Sequence, residues 1–427
     1  MNTKQKSYAL PIAMMFALFF MISFVTGLPN PLGVIVKNQF GASNFMSSLG
    51  NAANFIAYAF MGIPAGLLLE RIGYKKTALA AIVVGITGVA IQFLSGQLGN
   101  FAIYLTGAFV SGFSMCMLNT VVNPMLNTLG GGGKKGNQLI QFGGSINSIG
   151  ATIVPVLVGY LIGNVAKANI SDANPALFIA MGIFALAFLV LFFMQIPEPH
   201  MVSKEKAQIK HKHSALSFRH FILGAIAIFV YVGVEVGIPN FTNLFMTTNT
   251  SLGGLNINAT IAGTVVGTYW FLMLLGRLTG ASVGATISTK AMLTFAASLA
   301  LILLLFAIFS PITTTVKMPV FRSDISFGMA EVPISVMFLI LVGICTSVMW
   351  GGIFNLAVEG LGKYTAMASG IFMVMVCGGG ILPMIQGFVA DKMGYVASYW
   401  VIFVGVAYIL FYALIGSKNV NKDIPVE

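Results

Sequence analysis

Apolar runs of about 20 residues recur from one end of this chain to the other, each long enough to cross a hydrocarbon core of about 30 Å as a helix. Lipid offers backbone groups no hydrogen-bond partners, so such runs are confined to helices, whose amides and carbonyls satisfy one another. Composition agrees: 57% of the 427 residues are hydrophobic and 8% are charged, against roughly 25% charged in a soluble domain. The runs predict twelve spans, at 9–36, 45–69, 77–96, 101–128, 139–166, 174–196, 219–248, 260–285, 288–310, 332–357, 364–390 and 395–416. The expected fold class is an all-α membrane protein of two six-helix bundles. The first bundle would occupy 1–196 and the second, with a short tail, 219–427, while the basic stretch 197–218 would link them in the cytosol.

The net charge of +11 does not point to nucleic acid, because the basic residues are scattered among apolar runs rather than gathered on one surface. They set topology instead. With both termini in the cytosol, all of the 22 Lys and Arg except Lys37, Lys167, Lys317, Arg322 and Lys392 fall on the cytosolic side, as the positive-inside rule requires. Cys116, Cys345 and Cys377 lie within apolar runs without metal-type spacing and read as packing residues. His200, His211, His213 and His220 sit in or at the edge of the central basic stretch and read as solvated surface. No phosphate-cradling loop, nucleophile–base set or metal cluster occurs, so neither an enzyme nor a cofactor is expected.

The two halves echo one another. The first predicted span carries Gly27-Leu28-Pro29-Asn30 and the seventh Gly237-Ile238-Pro239-Asn240. The fifth has Gly150, Pro155 and Gly159, and the eleventh has Gly378, Pro383 and Gly387 at the same internal spacing. The fourth has Asn119 where the tenth has Asn355. Matches in this order describe a parallel repeat of six-helix units, a plan common among transporters. A second echo, Gly66, Glu70, Arg71, Gly73 after the second span and Gly387, Asp391, Lys392, Gly394 after the eleventh, falls on opposite faces of the membrane and fits an inverted repeat inside each half. Its glycines allow tight turns, and its acids and bases are candidates for gating contacts between bundles. The alternative is an ordinary charged loop at the lipid interface.

Glu235 lies well inside the seventh span, where an acid costs on the order of 2.5–3.5 kcal/mol and so marks function. It is the candidate coupling residue, as proton carrier, cation ligand or acceptor from a sugar hydroxyl; the alternative is a structural acid that locks its helix. Arg277, about two turns from the cytosolic end of the eighth span, is grouped with the gating residues. Its depth does not match that of Glu235, so snorkelling or a carbonyl contact is expected there rather than an ion pair. The central spans also carry uncharged polar residues: Asn30, Asn51, Asn54, Asn119, Asn123, Gln141, Asn147, Asn240, Asn243 and Asn355, with Tyr58, Tyr231, Tyr269, Trp270 and Trp350 nearby. Amides donate and accept as sugar hydroxyls do, and aromatic faces suit the C–H face of a pyranose. Of this set the amides, Tyr269 and Trp270 are the candidate substrate lining, although some amides would serve helix–helix hydrogen bonds instead.

Several of these residues form motifs. Pro64-Ala65-Gly66 with Gly73-Tyr74-Lys75, Asn119-Thr120 with Asn123-Pro124, Asn147-Ser148-Ile149-Gly150, Tyr231-Val232-Gly233 with Glu235, Gly276-Arg277, and Gly378-Gly379-Gly380 with Pro383, Gly387, Asp391 and Gly394 span nearly the whole chain. In this set the chain resembles the fucose/galactose/glucose proton-symporter family of the major facilitator superfamily. The resemblance implies import of a monosaccharide coupled to an ion gradient. The expected location is a bacterial inner membrane, crossed many times, with membrane lipid as a partner and no nucleic acid. Two family carboxylates that serve proton coupling, an Asp in the first span and a Glu in the fourth, stand here at Asn30 and Asn119, neither of which titrates. That leaves Glu235 as the mid-membrane acid, with H+, Na+ or no coupling ion open. Exporters and sugar sensors on the same fold are the remaining readings.

Overall fold

A computed structural model describes residues 8–28, 32, 35, 39, 44–162, 169–198, 213–322 and 326–426. Most of the predicted linker therefore lies outside the described residues. Ten helices among the described residues are long and apolar enough to cross a membrane. In chain order, α1 is Ala9–Gly27, α2 Asn44–Leu98, α3 Phe101–Leu129, α4 Gly133–Ile162 and α5 Asn174–Phe193. After the linker come α6 Arg219–Thr247, α7 Ala259–Val283 and α8 Thr289–Phe309. Strands β1 Thr315–Phe321 and β2 Phe327–Pro333 precede α9 Ile334–Thr346, α10 Met349–Val358, α11 Thr365–Val374, α12 Gly378–Met393 and α13 Tyr395–Phe411.

The 55-residue α2 covers the second and third predicted spans and breaks at Gly73, whose φ of 82° and ψ of 175° are not helical. Gly394, between α12 and α13, adopts nearly the same conformation, φ 91° and ψ 164°. The echo read in the sequence is thus an echo in backbone conformation, in a region that disfavours residues with a Cβ. Local chemistry sets several other helix ends. Asn100 accepts from the Ile103 amide and Ser288 from the Ala291 amide, each satisfying a donor that the first helical turn leaves free. The eleventh predicted span is divided by a short 3-10 turn at Met375–Cys377, just before the three glycines that open α12.

The contacts divide the chain into two compact units, one made of 1–215, 360–374 and 424–427, the other of 216–359 and 375–423. In the first unit the C-terminal half of α2 packs on α3 through small and polar residues. Gln92 donates to Ser111 Oγ at 3.0 Å, and Ser114 donates to the Ala81 carbonyl at 2.6 Å. Small side chains let helices approach closely, and the buried polar groups then bond across the interface, as membrane bundles require. In the second unit, α6 packs on α10, α12 and α13, and α7 on α9.

Two features depart from the expectation. The stretch after the ninth predicted span, to which no element was assigned, is a β-hairpin in register from Thr315↔Pro333 to Phe321↔Phe327 that takes in the first two residues of the tenth predicted span. Met318, Val320, Ala330 and Val332 alternate inward, a period-two pattern that the hydropathy of long helices overshadows. His220, read as solvated, is buried in the first turn of α6, where a ring nitrogen lies 2.9 Å from the Glu359 carbonyl oxygen.

Candidate functional site

Charge inside the second unit is concentrated at one place. Arg277 Nη2 on α7 donates to Glu235 Oε1 on α6 at 3.1 Å, and the two side chains are only 12% and 16% exposed. This corrects the expectation that the two do not pair. The long, flexible arginine stem carries the guanidinium well away from its own Cα, so the depths of two Cα atoms are a poor guide to whether their charges meet. A buried acid and base in contact compensate each other's desolvation, which neither would survive alone at this depth.

Aromatic side chains surround the pair. Tyr269 on α7 donates to the Glu235 backbone carbonyl at 3.4 Å and lies 3.0 Å from the Thr346 hydroxyl on α9. Trp270 stands edge-on to Tyr269 with ring centroids 5.4 Å apart, and Trp350 on α10 lies 6.2 Å from the Tyr231 ring. Tyr231 precedes Glu235 by one turn of α6. Its hydroxyl is buried against the Glu235 carboxylate, the group within its hydrogen-bonding reach, although outside the geometry of a short bond. A buried hydroxyl needs such a neighbour, and here it adds to the groups that hold the carboxylate in place. Trp270 is 39% exposed and offers an open aromatic face.

The first unit supplies a separate polar column. Asn119 on α3 donates to the Tyr58 hydroxyl on α2 and to the Met115 carbonyl, both at 3.0 Å, and Asn123 donates to the Asn119 carbonyl at 2.9 Å. Asn54, one turn before Tyr58 on α2, is buried with its Oδ1 unsatisfied. Gln141 on α4 is buried and Asn147 half-buried. Asn119 and Tyr58 thus bond helix to helix, one of the two uses the sequence offered for these amides, while Asn54 keeps an unmet acceptor.

The remaining candidates scatter. Asn30 lies outside the described residues, as does the side chain of Asn51. Asn240 and Asn243 are exposed on α6. Asn355 on α10 is buried and accepts from Thr289 at the start of α8. Of the gating set, Gly66 sits in close contact inside the first unit, where a Cβ on it would come within 3.0 Å of the Gly370 Cα on α11. A Cβ on Gly62, one turn earlier, would meet the Val374 amide nitrogen at 2.6 Å. Among the described residues, Glu70, Arg71, Asp391 and Lys392 take part in no ion pair, and Arg71 and Asp391 are exposed. Gly387 on α12 leaves room for the Phe241 ring.

Three contributors had escaped the sequence reading. Thr346 holds the Tyr269 hydroxyl, and its signal was weak, since one Thr among apolar residues is common. Gln386 on α12 is fully buried beside Gly237 with its Oε1 unsatisfied, and as an amide inside an apolar span it could have been found by the rule applied to the asparagines. Glu198, in the predicted linker, accepts from the Tyr74 and Lys75 amides just after the Gly73 break, while Lys75 Nζ donates to the Phe192 and Met194 carbonyls at 2.7 Å each. An acid at a helix start and a base at a helix end both match the local dipole.

Two units of membrane-length apolar helices, with charge and amides held in their interiors, define a multi-pass membrane protein. Residues 15–382 match the model of the Major Facilitator Superfamily, and the chain belongs to that family. A glucose/galactose transporter of Brucella abortus is 32% identical over 422 residues, covering 98% of this chain and 97% of its own. An L-fucose-proton symporter of Escherichia coli is 23% identical over 417 residues, covering 92% and 89%. Among solved structures, an E. coli fucose:proton symporter superposes with a TM-score of 0.78 at 21% identity, over 97% of this chain and 100% of its own. A proton:xylose symporter superposes with a TM-score of 0.69 at 13% identity, over 96% of each chain.

Proposed function

We propose that this chain imports a hexose of the glucose/galactose type across a bacterial inner membrane by alternating access, with uptake coupled to H+ or Na+ through Glu235. The observation that carries the coupling role is the buried Glu235–Arg277 ion pair with the Tyr231 hydroxyl against its carboxylate. A carboxylate paired with a fixed guanidinium is a two-state element: binding of a cation or proton competes with Arg277 and frees the arginine for a sugar hydroxyl. The name of the Brucella relative, alike over nearly the full length of both chains, supports the substrate class. Asn54, Asn119, Asn123 and Gln141 in the first unit, and Tyr231, Tyr269, Trp270 and Trp350 in the second, are the side chains assigned to sugar binding. Bundles 1–196 and 219–427, joined by 197–218 with both termini cytosolic, would provide the moving parts.

A second reading, an uncoupled facilitator, rests on Asn119: it bonds Tyr58 as a neutral amide, at a position where the related family uses an acid for proton coupling. Uptake of radiolabelled glucose, galactose and fucose into proteoliposomes separates the two. Accumulation above the external concentration under a proton or sodium gradient supports coupling and names the ion. Equilibration that no gradient alters supports the facilitator, and a lack of uptake of every sugar refutes both.

A further inference from the structure

Pro239 stands inside α6, and a proline has no amide hydrogen to give. The residue four places before it is Glu235, whose backbone carbonyl therefore lacks the donor that α-helical bonding would supply. In an apolar span such a carbonyl needs another partner. The neighbouring helix provides it: Tyr269 Oη on α7 donates to the Glu235 carbonyl at 3.4 Å. The break in α6 bonding thus falls on the residue whose side chain pairs with Arg277, and a hydroxyl from a second helix closes it.

Tyr269 is itself held. Its hydroxyl lies 3.0 Å from Thr346 Oγ1, at the end of α9. A phenol has one proton, so when Tyr269 gives it to the Glu235 carbonyl, the Thr346 hydroxyl is the donor in the second bond. The acceptors that Thr346 has in its own helix, the Val342 and Gly343 carbonyls, are further off at 3.4 and 3.2 Å. Helix α9 comes this close because Gly343 has no side chain: a Cβ there would meet the Tyr269 carbonyl oxygen at 2.6 Å. The next residue after Thr346, Ser347, fills the space beside Gly276, the neighbour of Arg277 in α7, where a Cβ would strike it. Away from α9, the hairpin also grips α7: the Phe321 amide donates to Thr268 Oγ1 at 2.9 Å, and the Phe321 ring lies parallel to Phe271 at 4.7 Å. Thr346 and Ser347 are 0% and 1% exposed, so neither reaches a substrate. They bear on the helix that carries Arg277 and, through Tyr269, on the backbone that carries Glu235.

We propose that Thr346 is a positioning residue for the coupling carboxylate. Through the Tyr269 hydroxyl it holds the Glu235 backbone at the point where Pro239 interrupts α6, and so keeps the carboxylate aimed at Arg277. This rests on the reading of Glu235 as the coupling group. When the relay is cut, the Glu235–Arg277 pair loosens, and an ion that competes with Arg277 for the carboxylate binds more readily.

The test measures sugar uptake by the full chain in proteoliposomes, with the concentration of the driving ion, H+ or Na+, at half-maximal rate as the readout. Thr346→Val keeps the side-chain shape and removes the donor. It is expected to lower that concentration about fivefold, the worth of one hydrogen bond, and to leave the KM for sugar exchange at the parent's value. Thr346→Ser restores the hydroxyl and is expected to return the parent's ion dependence, which packing alone would not do, since Ser fills less space than Val. Tyr269→Phe cuts the relay at its other end and should give the same fall, also where Thr346→Val fails to fold. A half-maximal concentration at or above the parent's in Thr346→Val or Tyr269→Phe, or a Thr346→Ser variant that behaves as Thr346→Val does, overturns the proposal. Glu235→Gln, measured alongside, separates the two failures. Accumulation like the parent's in that variant removes the coupling reading and this proposal with it, whereas its loss there, with parental ion dependence in Thr346→Val, overturns the positioning role alone.

Discussion

Replacing Glu235 with Gln keeps the side-chain shape and removes the charge, so Arg277 loses the carboxylate that balances it at this position. At 3.1 Å and an effective dielectric of about 20, the attraction within the pair is about 5 kcal/mol before desolvation is subtracted. With side chains only 12% and 16% exposed, stranding either charge is expected to cost about 3–5 kcal/mol. Arg277→Met strands the carboxylate in the same way. The double variant, Glu235→Gln with Arg277→Met, strands neither, so it should recover most of the loss and be more stable than either single variant. Thermal unfolding in detergent, followed by fluorescence-detected size exclusion, measures this cycle. In proteoliposomes the coupling role adds a second expectation: Glu235→Gln abolishes gradient-driven accumulation while sugar exchange across the membrane persists. If the two single losses simply add in the double variant, the ion pair is not an energetic unit. If Glu235→Gln accumulates sugar as the parent does, Glu235 is not the coupling group.

Tyr231→Phe removes a hydroxyl that lies against the Glu235 carboxylate, so the KM for sugar should rise up to about tenfold, the worth of one hydrogen bond to substrate; an unchanged KM refutes the role. Gly66→Val places a side chain where even a Cβ meets the Gly370 Cα at 3.0 Å, so transport should fall severely; Gly66→Ala, the smaller intrusion, should fall less, and equal activity of both variants and parent would show that the contact is not needed. Glu198→Gln weakens two hydrogen bonds to the start of the helix after Gly73 and should lower stability by about 1–2 kcal/mol, read as an earlier unfolding transition without a change in sugar KM.

What the sequence by itself determined is the class of molecule and the outline of its plan. A bilayer reduces much of folding to one dimension, because a run of about 20 apolar residues can only be a spanning helix. For the same reason the loop charges carry the orientation, and a lone acid such as Glu235 stands out against its span. Gly73 and Gly394 were legible too, since a conformation at positive φ leaves glycine as its mark. What only the tertiary structure decided is which side chains meet. Arg277 reaches Glu235 because of the rotation of α6 and α7 about their axes and the length of the arginine stem, neither of which hydropathy records. His220 is buried by Glu359, more than a hundred residues away. Gly66 and Gly370 touch because α2 and α11 pack in one unit, and the hairpin forms because Thr268 and Phe271 on α7 give its edge and its rings a partner. Spanning is a property of each segment and its solvent, whereas a site is a property of several helices at once, so the sequence carried the first and the packing carried the second.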